Sequence, residues 1–260
     1  MLPAGLGYTQ VMQPEIPTPR LDQGRHHRAK IGYVLLATEQ TIEDDAMSLC
    51  PEGVGIHFTR AAIPDSITAA TLASQALLLP DCARLLLPDG SLDVICYGCT
   101  SGSIVIGEHR VHELLRQGAP NAIPTSIIAS VHEALGILGL KRIVVATPYL
   151  DEINRQEAQY METAGFEILD ITGLNIEKDS DMVRLTPDYI VEFALSLDRP
   201  DAEGIFISCG ALRSLEVVEE IEQRAGKPVI TSNQATIWHT LRLAGVNDSF
   251  QDHGSLLRDY

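Results

Sequence analysis

Aromatic residues are scarce, 5% of 260 with a single tryptophan, so no stacking platform for bases or large sugars is visible. Cationic residues are also few: 19 Lys and Arg against 35 Asp and Glu leave a formal net charge of −16. Phosphate recognition needs clustered cations, which disfavours nucleic acid and anionic lipid as partners. A small anionic ligand stays open, because backbone N–H groups and hydroxyls can hold it whatever the sign of the whole surface. No stretch approaches the roughly 20 apolar residues of a spanning helix, and no apolar run of signal-peptide length opens the chain. A cytoplasmic protein without membrane association is therefore expected. The five cysteines, at 50, 82, 96, 99 and 209, are odd in number and fit no secreted disulfide framework, so reduced thiols are expected. Cys96 and Cys99 form one C-x-x-C with no second pair and no histidine cluster at ligand spacing, and neither a metal nor another cofactor is expected.

What the chain does have is an α/β pattern. Residues 1–28 hold four prolines and no sustained periodicity, and read as an extended arm. From Lys30 onward short β-rich runs alternate with amphipathic stretches, as in parallel α/β folds. Strands are predicted at 31–36, 54–59, 93–97, 142–146, 166–171, 204–208 and 228–231, and helices at 68–79, 151–164, 187–197 and 215–224.

The pattern repeats. K-I-G-Y-V-L-L-A-T-E-Q near the start of the first half answers K-R-I-V-V-A-T-P-Y-L in the second, and D-V-I-C-Y-G-C-T-S-G-S answers A-E-G-I-F-I-S-C-G-A-L-R-S. Ile31 precedes Cys99 by 68 positions and Ile143 precedes Cys209 by 66. This predicts two pseudo-symmetric parallel-sheet halves with flanking helices, 29–125 and 126–238, with the active site in the cleft between them. Residues 239–260 are expected to form a C-terminal helix and tail packing on the first half. Oligomeric state is not legible, and a homo-oligomer is compatible with the sequence.

Cys99 and Cys209 each follow an apolar strand and precede a helix. Ligand crevices of open α/β sheets lie outside the carboxyl ends of the strands, where helix N-termini present free N–H groups. That setting is expected to lower a thiol's pKa from about 8.5. Gly98, Thr100, Ser101 and Gly102 surround the first cysteine, and Gly210 and Ala211 follow the second, so backbone can approach a ligand closely. A lone cysteine is more often a small buried hydrophobe; two at equivalent points of a repeat point to chemistry. Cys50, Cys82 and Cys96 are read as structural.

The segments A-T-P-Y-L-D-E-I-N at 146–154, G-I-F-I-S-C-G-A-L at 204–212 and K-P-V-I-T-S-N-Q-A-T-I-W at 227–238 resemble arylmalonate decarboxylases, maleate cis-trans isomerases and related ectoine-utilisation proteins. These form one branch of the aspartate/glutamate racemase superfamily, and the likeness runs from Lys30 to Gly245. It implies two α/β halves and no metal or organic cofactor. It assigns Cys209 to the cysteine that protonates or deprotonates substrate carbon, and Cys99 to the first cysteine of the isomerases and racemases, where the decarboxylases have glycine. Thr100, Ser101, Tyr149 and Gly210 match positions that bind a substrate carboxylate or enediolate oxygen. Hydroxyls and N–H groups aimed at developing oxyanion charge are also what removal of a proton α to a carboxylate requires.

One region departs from the pattern. The isomerases carry asparagine just after the first strand, where this chain reads Ala37-Thr38-Glu39-Gln40-Thr41. Gln40 is taken as the substitute and Glu39 is expected to turn away, unless the substrate bears an amino group. Asn175 is matched to a second isomerase asparagine. His109, His112, His132 and His239 fall within helices rather than at strand ends and are read as surface or structural residues. Glu43, Asp44 and Asp45 are read as a solvated helix start. The expected function is a two-cysteine racemase or cis-trans isomerase of a small carboxylate, dicarboxylate or amino-acid-like. A decarboxylase using Cys209 alone and a non-catalytic small-molecule binding protein are the alternatives.

Overall fold

Parallel strands covered on both faces need nearly continuous apolar runs, and the first such run, Ala29–Leu36, is buried at seven of its eight positions. The computed structural model describes residues 18–260. In it, β1 (Ala29–Leu36), β2 (Val54–Ala61), β3 (Val94–Tyr97) and β4 (Ile123–Ser126) form one parallel sheet in the order β2-β1-β3-β4. A second parallel sheet repeats that order as β6-β5-β7-β8, from β5 (Arg142–Thr147), β6 (Glu167–Gly173), β7 (Gly204–Ile207) and β8 (Val229–Thr231). The first half carries helices α1 (Ile42–Ser48), α2 (Ala69–Ser74), α3 (Leu79–Arg84), α4 (Thr100–Ile106), α5 (Glu108–Gly118) and α6 (Ile127–Ile137). The second carries α7 (Asp151–Thr163), α8 (Asp179–Met182), α9 (Pro187–Ser196), α10 (Val218–Ala225), α11 (Ser232–Leu243) and α12 (Gly254–Asp259).

Identical strand order is the repeat made visible. In each sheet the chain winds to opposite sides of the first strand, so the gap between β1 and β3, and between β5 and β7, is a topological switch point where α/β sheets bind ligands. The helices after the fourth strands, α6 and α11, pack on each other across the pseudo-dyad. Both start with a hydroxyl cap: Ser126 Oγ accepts from Ala129 N–H at 3.2 Å and Thr231 Oγ1 from Gln234 N–H at 3.2 Å, satisfying amides that a helix start leaves free.

Several boundaries differ from the sequence reading. The predicted helix at 68–79 is broken into α2, a 3₁₀ turn at Gln75–Leu77, and α3, where Pro80 in the first turn cannot donate to a continuing helix. Strand β4, I-P-T-S, was not predicted; its proline is tolerated at a sheet edge. The C-terminal helix begins at Ser232 rather than 239 and packs against α6, α1 and β3. The final α12 lies on α10, α11 and β8. There Glu219 Oε2 accepts from Gly254 N–H at 3.0 Å and Glu222 Oε2 from Ser255 N–H at 2.8 Å, while Leu256 and Leu257 are fully buried. Of the expected arm, residues 1–17 lie outside the described residues; beyond them, Arg28 pairs with Asp248.

Candidate active site

Cys99, Thr100, Ser101, Tyr149, Cys209 and Gly210 line one cleft at the carboxyl ends of β1, β3, β5 and β7, together with Glu39 and Asp179. Leu36, Ile67 and Met182 supply its apolar wall. The cleft is narrow: its volume is about 20 Å³, room for about one water. Its cover is a clasp between equivalent loops of the two halves. Ile67 N–H donates to Glu177 O at 3.0 Å, Asp179 N–H to Asp65 O at 3.0 Å, and Ser180 N–H to Asp65 Oδ1 at 2.9 Å.

Each thiol sits where β3 or β7 gives way to a tight turn. Cys99 caps α4, and Gly102 N–H donates to its sulfur at 3.3 Å. Glycine is required at 102, since a Cβ there would fall 2.4 Å from the Tyr97 hydroxyl and 3.0 Å from the Cys99 sulfur. Cys209 holds φ +113°, a region non-glycine residues rarely enter. Its sulfur accepts from Ala211 N–H at 3.4 Å, and its own N–H donates to Ser232 Oγ at 3.0 Å. Backbone strain of about 1–3 kcal/mol persists only where surroundings over-determine it, and here both halves supply the hold. Asn233 Nδ2 bridges Gly210 O at 2.9 Å and Asp45 Oδ2 at 2.8 Å, and Thr41 Oγ1 donates to Ala211 O at 3.0 Å.

Tyr149 is set by a small polar knot. Thr147 Oγ1 donates to Asn154 Oδ1 at 2.6 Å and accepts from Tyr149 N–H at 3.2 Å. The ring is buried, and burial first, then the neighbouring Cys209 thiol, pushes its hydroxyl pKa well up. Cys99 also acts on it, so Tyr149 stands within electrostatic reach of both thiols.

The expectation of depressed thiol pKa values is overturned. Burial pushes Cys99 up to about 12, against the opposing Gly102 and Ser101 contacts, with Asp179 adding to the rise. Cys209 rises well above the ordinary value through burial and then Asp179. Desolvation and nearby carboxylates outweigh two backbone amides.

Gln40 and Asn175 are not in the cleft. Gln40 is exposed, its amide 3.4 Å from Thr38 O. Glu39 turns inward instead, because its Oε1 takes two amides at the start of α1, Thr41 N–H at 2.6 Å and Ile42 N–H at 3.0 Å. Asn175 is exposed, with φ +55°, and its N–H donates to Tyr149 O at 3.2 Å; the segment after β6 gives the cleft Asp179 and Met182. Asp45, read as solvated, is buried on Asn233 and rises to about 7 through desolvation. None of the histidines lines the cleft; His239 Nδ1 lies 3.1 Å from Ser130 Oγ, and His132 stacks on Tyr160.

Glu39 and Asp179 are thus two buried carboxylates facing two thiols, and among the described residues no Lys, Arg or His lines the cleft. Burial raises Glu39 to about 7, with Asp179 adding to the rise. Burial likewise raises Asp179, while the Thr38 hydroxyl opposes the shift. A further carboxylate about 4 Å from either ionised group would meet a repulsion on the order of 4 kcal/mol at an effective dielectric near 20.

The sequence pattern of the arylmalonate decarboxylase family matches residues 65–257, which take in both cysteines and most of the cleft. The chain belongs to that family. It is 33% identical to the arylmalonate decarboxylase of Bordetella bronchiseptica over 126 residues, a match spanning 46% of this chain and 51% of that one. The chain is also similar to an isomerase: the maleate isomerase of Nocardia farcinica is 27% identical over 245 residues, 88% of this chain and 95% of that one. The crystal structure of a cysteine-to-serine variant of the N. farcinica maleate cis-trans isomerase, with a covalently bound succinylcysteine intermediate, superposes with a TM-score of 0.83 at 24% identity, covering 89% of this chain and 99% of that chain. At that identity the likeness is one of fold, two parallel sheets and their cleft.

Proposed function

We propose that this protein is a cofactor-independent isomerase that changes the configuration of a small carboxylate between the thiols of Cys99 and Cys209. The observation that carries this reading is that one thiol from each half lines the same narrow cleft, each with a backbone amide on its sulfur. In a racemisation, one sulfur as thiolate takes the proton α to the carboxylate, and the C–H electron pair moves into the carboxylate as an enediolate. The other sulfur, as thiol, then protonates the opposite face, so the two sulfurs exchange protonation states. In a cis-trans isomerisation, a thiolate adds to the double bond, the new single bond rotates, and elimination returns the thiolate. Thr100, Ser101 and Tyr149 supply hydroxyls for the developing oxyanion.

Decarboxylation by Cys209 alone is the second reading, favoured by the identity to the B. bronchiseptica enzyme. Cys99 weighs against it, since the resemblance puts glycine at that position in decarboxylases. A non-catalytic binding protein has no use for two buried strand-end thiols. The test is proton NMR in deuterium oxide on candidate carboxylates. A racemase washes solvent deuterium into the α-carbon of its product, and an addition isomerase converts one geometric isomer into the other. Loss of CO₂ from an aryl- or alkenylmalonate with neither of those reactions would remove the proposal in favour of the second reading.

A further inference from the structure

Glu39 and Asp179 are each more than nine-tenths buried, 5% and 4% exposed, and both line the cleft. In each, one carboxylate oxygen is occupied and the other is not. Glu39 Oε1 is taken by the Thr41 and Ile42 amides, and Asp179 Oδ2 by the Thr38 hydroxyl. Glu39 Oε2 and Asp179 Oδ1 accept no hydrogen bond among the described residues. The Glu39 oxygen lies 3.5 Å from where a Cβ on Gly210 would sit, beside the Cys209 sulfur's own turn. Buried acceptors aimed into a cavity require a donor, and two carboxylates require a positive one. Among the described residues none is offered there: no Lys, Arg or His lines the cleft.

We propose that the substrate of this site is a small carboxylate bearing a primary ammonium group, which the free oxygens of Glu39 and Asp179 receive while Thr100 and Ser101 hold its carboxylate. This rests on the reading of Cys99 and Cys209 as a catalytic pair and names what lies between them. The N⁺–H donors satisfy both carboxylates by charge-assisted hydrogen bonds. The same positive charge favours ionisation of whichever sulfur acts as base, offsetting the carboxylates that hold both thiols protonated. A maleate- or malonate-like dianion meets the reverse: two like charges and no cation. The narrow cleft restricts the carbon skeleton to a few atoms.

Affinity for such a substrate also depends on pH in a definite direction. Glu39 faces Asp179 and the Cys209 thiol, with neutral Asn233 behind Gly210. Arg60 donates to the backbone oxygen of Glu39, at 2.6 Å, and to those of Leu36 and Ala37, and it pairs with Glu43 rather than with the Glu39 carboxylate. Glu39 ionises near 7, so ammonium binding strengthens as pH rises from 6 to 8, whereas a dianion would bind best at pH 6.

The experiment is calorimetric titration of the full-length protein and its Cys99→Ala form with alanine, serine and 2-aminobutyrate in both configurations, against propionate, butyrate, succinate and maleate, at pH 6 and 8. The expected result is that the ammonium-bearing probes bind at least tenfold more tightly than their desamino counterparts, more so at pH 8. Glu39→Gln and Asp179→Asn should each remove that discrimination, weakening amino-acid binding about tenfold while propionate binds as tightly as before or more tightly, because a like charge is gone. Glu39→Gln keeps an acceptor for the α1 amides, and its folding is checked by melting temperature. Maleate or succinate binding more tightly than every amino-acid probe would overturn the inference even if both cysteines prove essential for turnover. Retained amino-acid discrimination together with racemisation that survives Cys99→Ala at the parent rate would support the inference and overturn the paired-thiol reading instead.

Discussion

Thr100 of the first half and Ser232 of the second share a hydroxyl-to-hydroxyl hydrogen bond of 3.0 Å, and the same Ser232 oxygen holds the Cys209 amide. The residue after one thiol is thereby tied to the backbone of the other. The strained φ of Cys209 is kept by a partner that also fixes the Cys99 turn, so the two sulfurs are positioned as a unit.

Ser232→Ala removes both bonds and leaves the buried Cys209 N–H without its acceptor. An unsatisfied buried group of this kind costs about 1–3 kcal/mol. The expected outcome is a melting temperature lowered by several degrees and turnover reduced on the order of tenfold or more, with KM changed less. Equal turnover in the variant and the parent would show that the Thr100–Ser232 link does not position the site.

Burial of both thiols sets their reactivity toward alkylating agents. Cys99 is pushed up to about 12 and Cys209 well above its ordinary value, so both stay protonated at neutral pH and the thiolate available for attack is scarce. Iodoacetamide at pH 7.5 should modify the half-buried Cys50 before either, with Cys99 and Cys209 gaining speed as pH rises. Peptide mapping after timed quenching reads the order; rapid labelling of Cys99 at pH 7 would contradict the desolvated setting.

Three buried carboxylates should each cost stability as pH rises toward neutrality. Burial raises Glu39, Asp45 and Glu157 each to about 7 from ordinary values near 4 to 4.5. A carboxylate whose folded pKa lies above its unfolded one keeps its full contribution below the unfolded pKa and loses it as pH rises through the folded one. Glu157 is completely buried on α7, and neither of its oxygens makes a hydrogen bond of standard geometry, although Ser208 lies near enough to temper its shift. Ionising it costs on the order of 3 kcal/mol. His57, His112, His132 and His239, whose pKa values burial lowers, act in the opposite sense, so the readout is a difference: in thermal melts from pH 5 to 8.5 Glu157→Gln should match the parent at pH 5 and exceed it increasingly up to pH 7. Parallel pH profiles of the two would refute the assignment.

Much of this architecture was legible because the signals were local or periodic. The seven predicted strands all have counterparts, and the spacing of Ile31 to Cys99 against Ile143 to Cys209 anticipated two sheets of like order. Strand β4 escaped because four residues with a proline carry no alternation. The split at Gln75–Leu77 escaped because Pro80 sits inside an otherwise helical composition. At the site, residues beside a strand end were readable, as Cys99, Thr100, Ser101, Tyr149, Cys209 and Gly210 meet in one cleft. Those whose direction depends on a loop's hydrogen bonds were not. Whether Glu39 or Gln40 faces inward is decided by the free amides of α1. Asp179 is delivered by the pairing of two loops far apart in sequence. Ser232 and Asn233 lay in a quoted motif, but nothing local told that they grip the Cys209 turn.

The central claim is that Cys99 and Cys209 act as a pair, and single replacements test it most directly. Cys99→Ala and Cys209→Ala, each verified as folded by its melting transition, are assayed beside the parent on the substrate identified in deuterium oxide. Paired thiols predict that each replacement alone abolishes turnover and that the double replacement costs no more than either single one. Full activity in Cys99→Ala together with a dead Cys209→Ala would contradict the pair and leave the one-cysteine decarboxylase in its place.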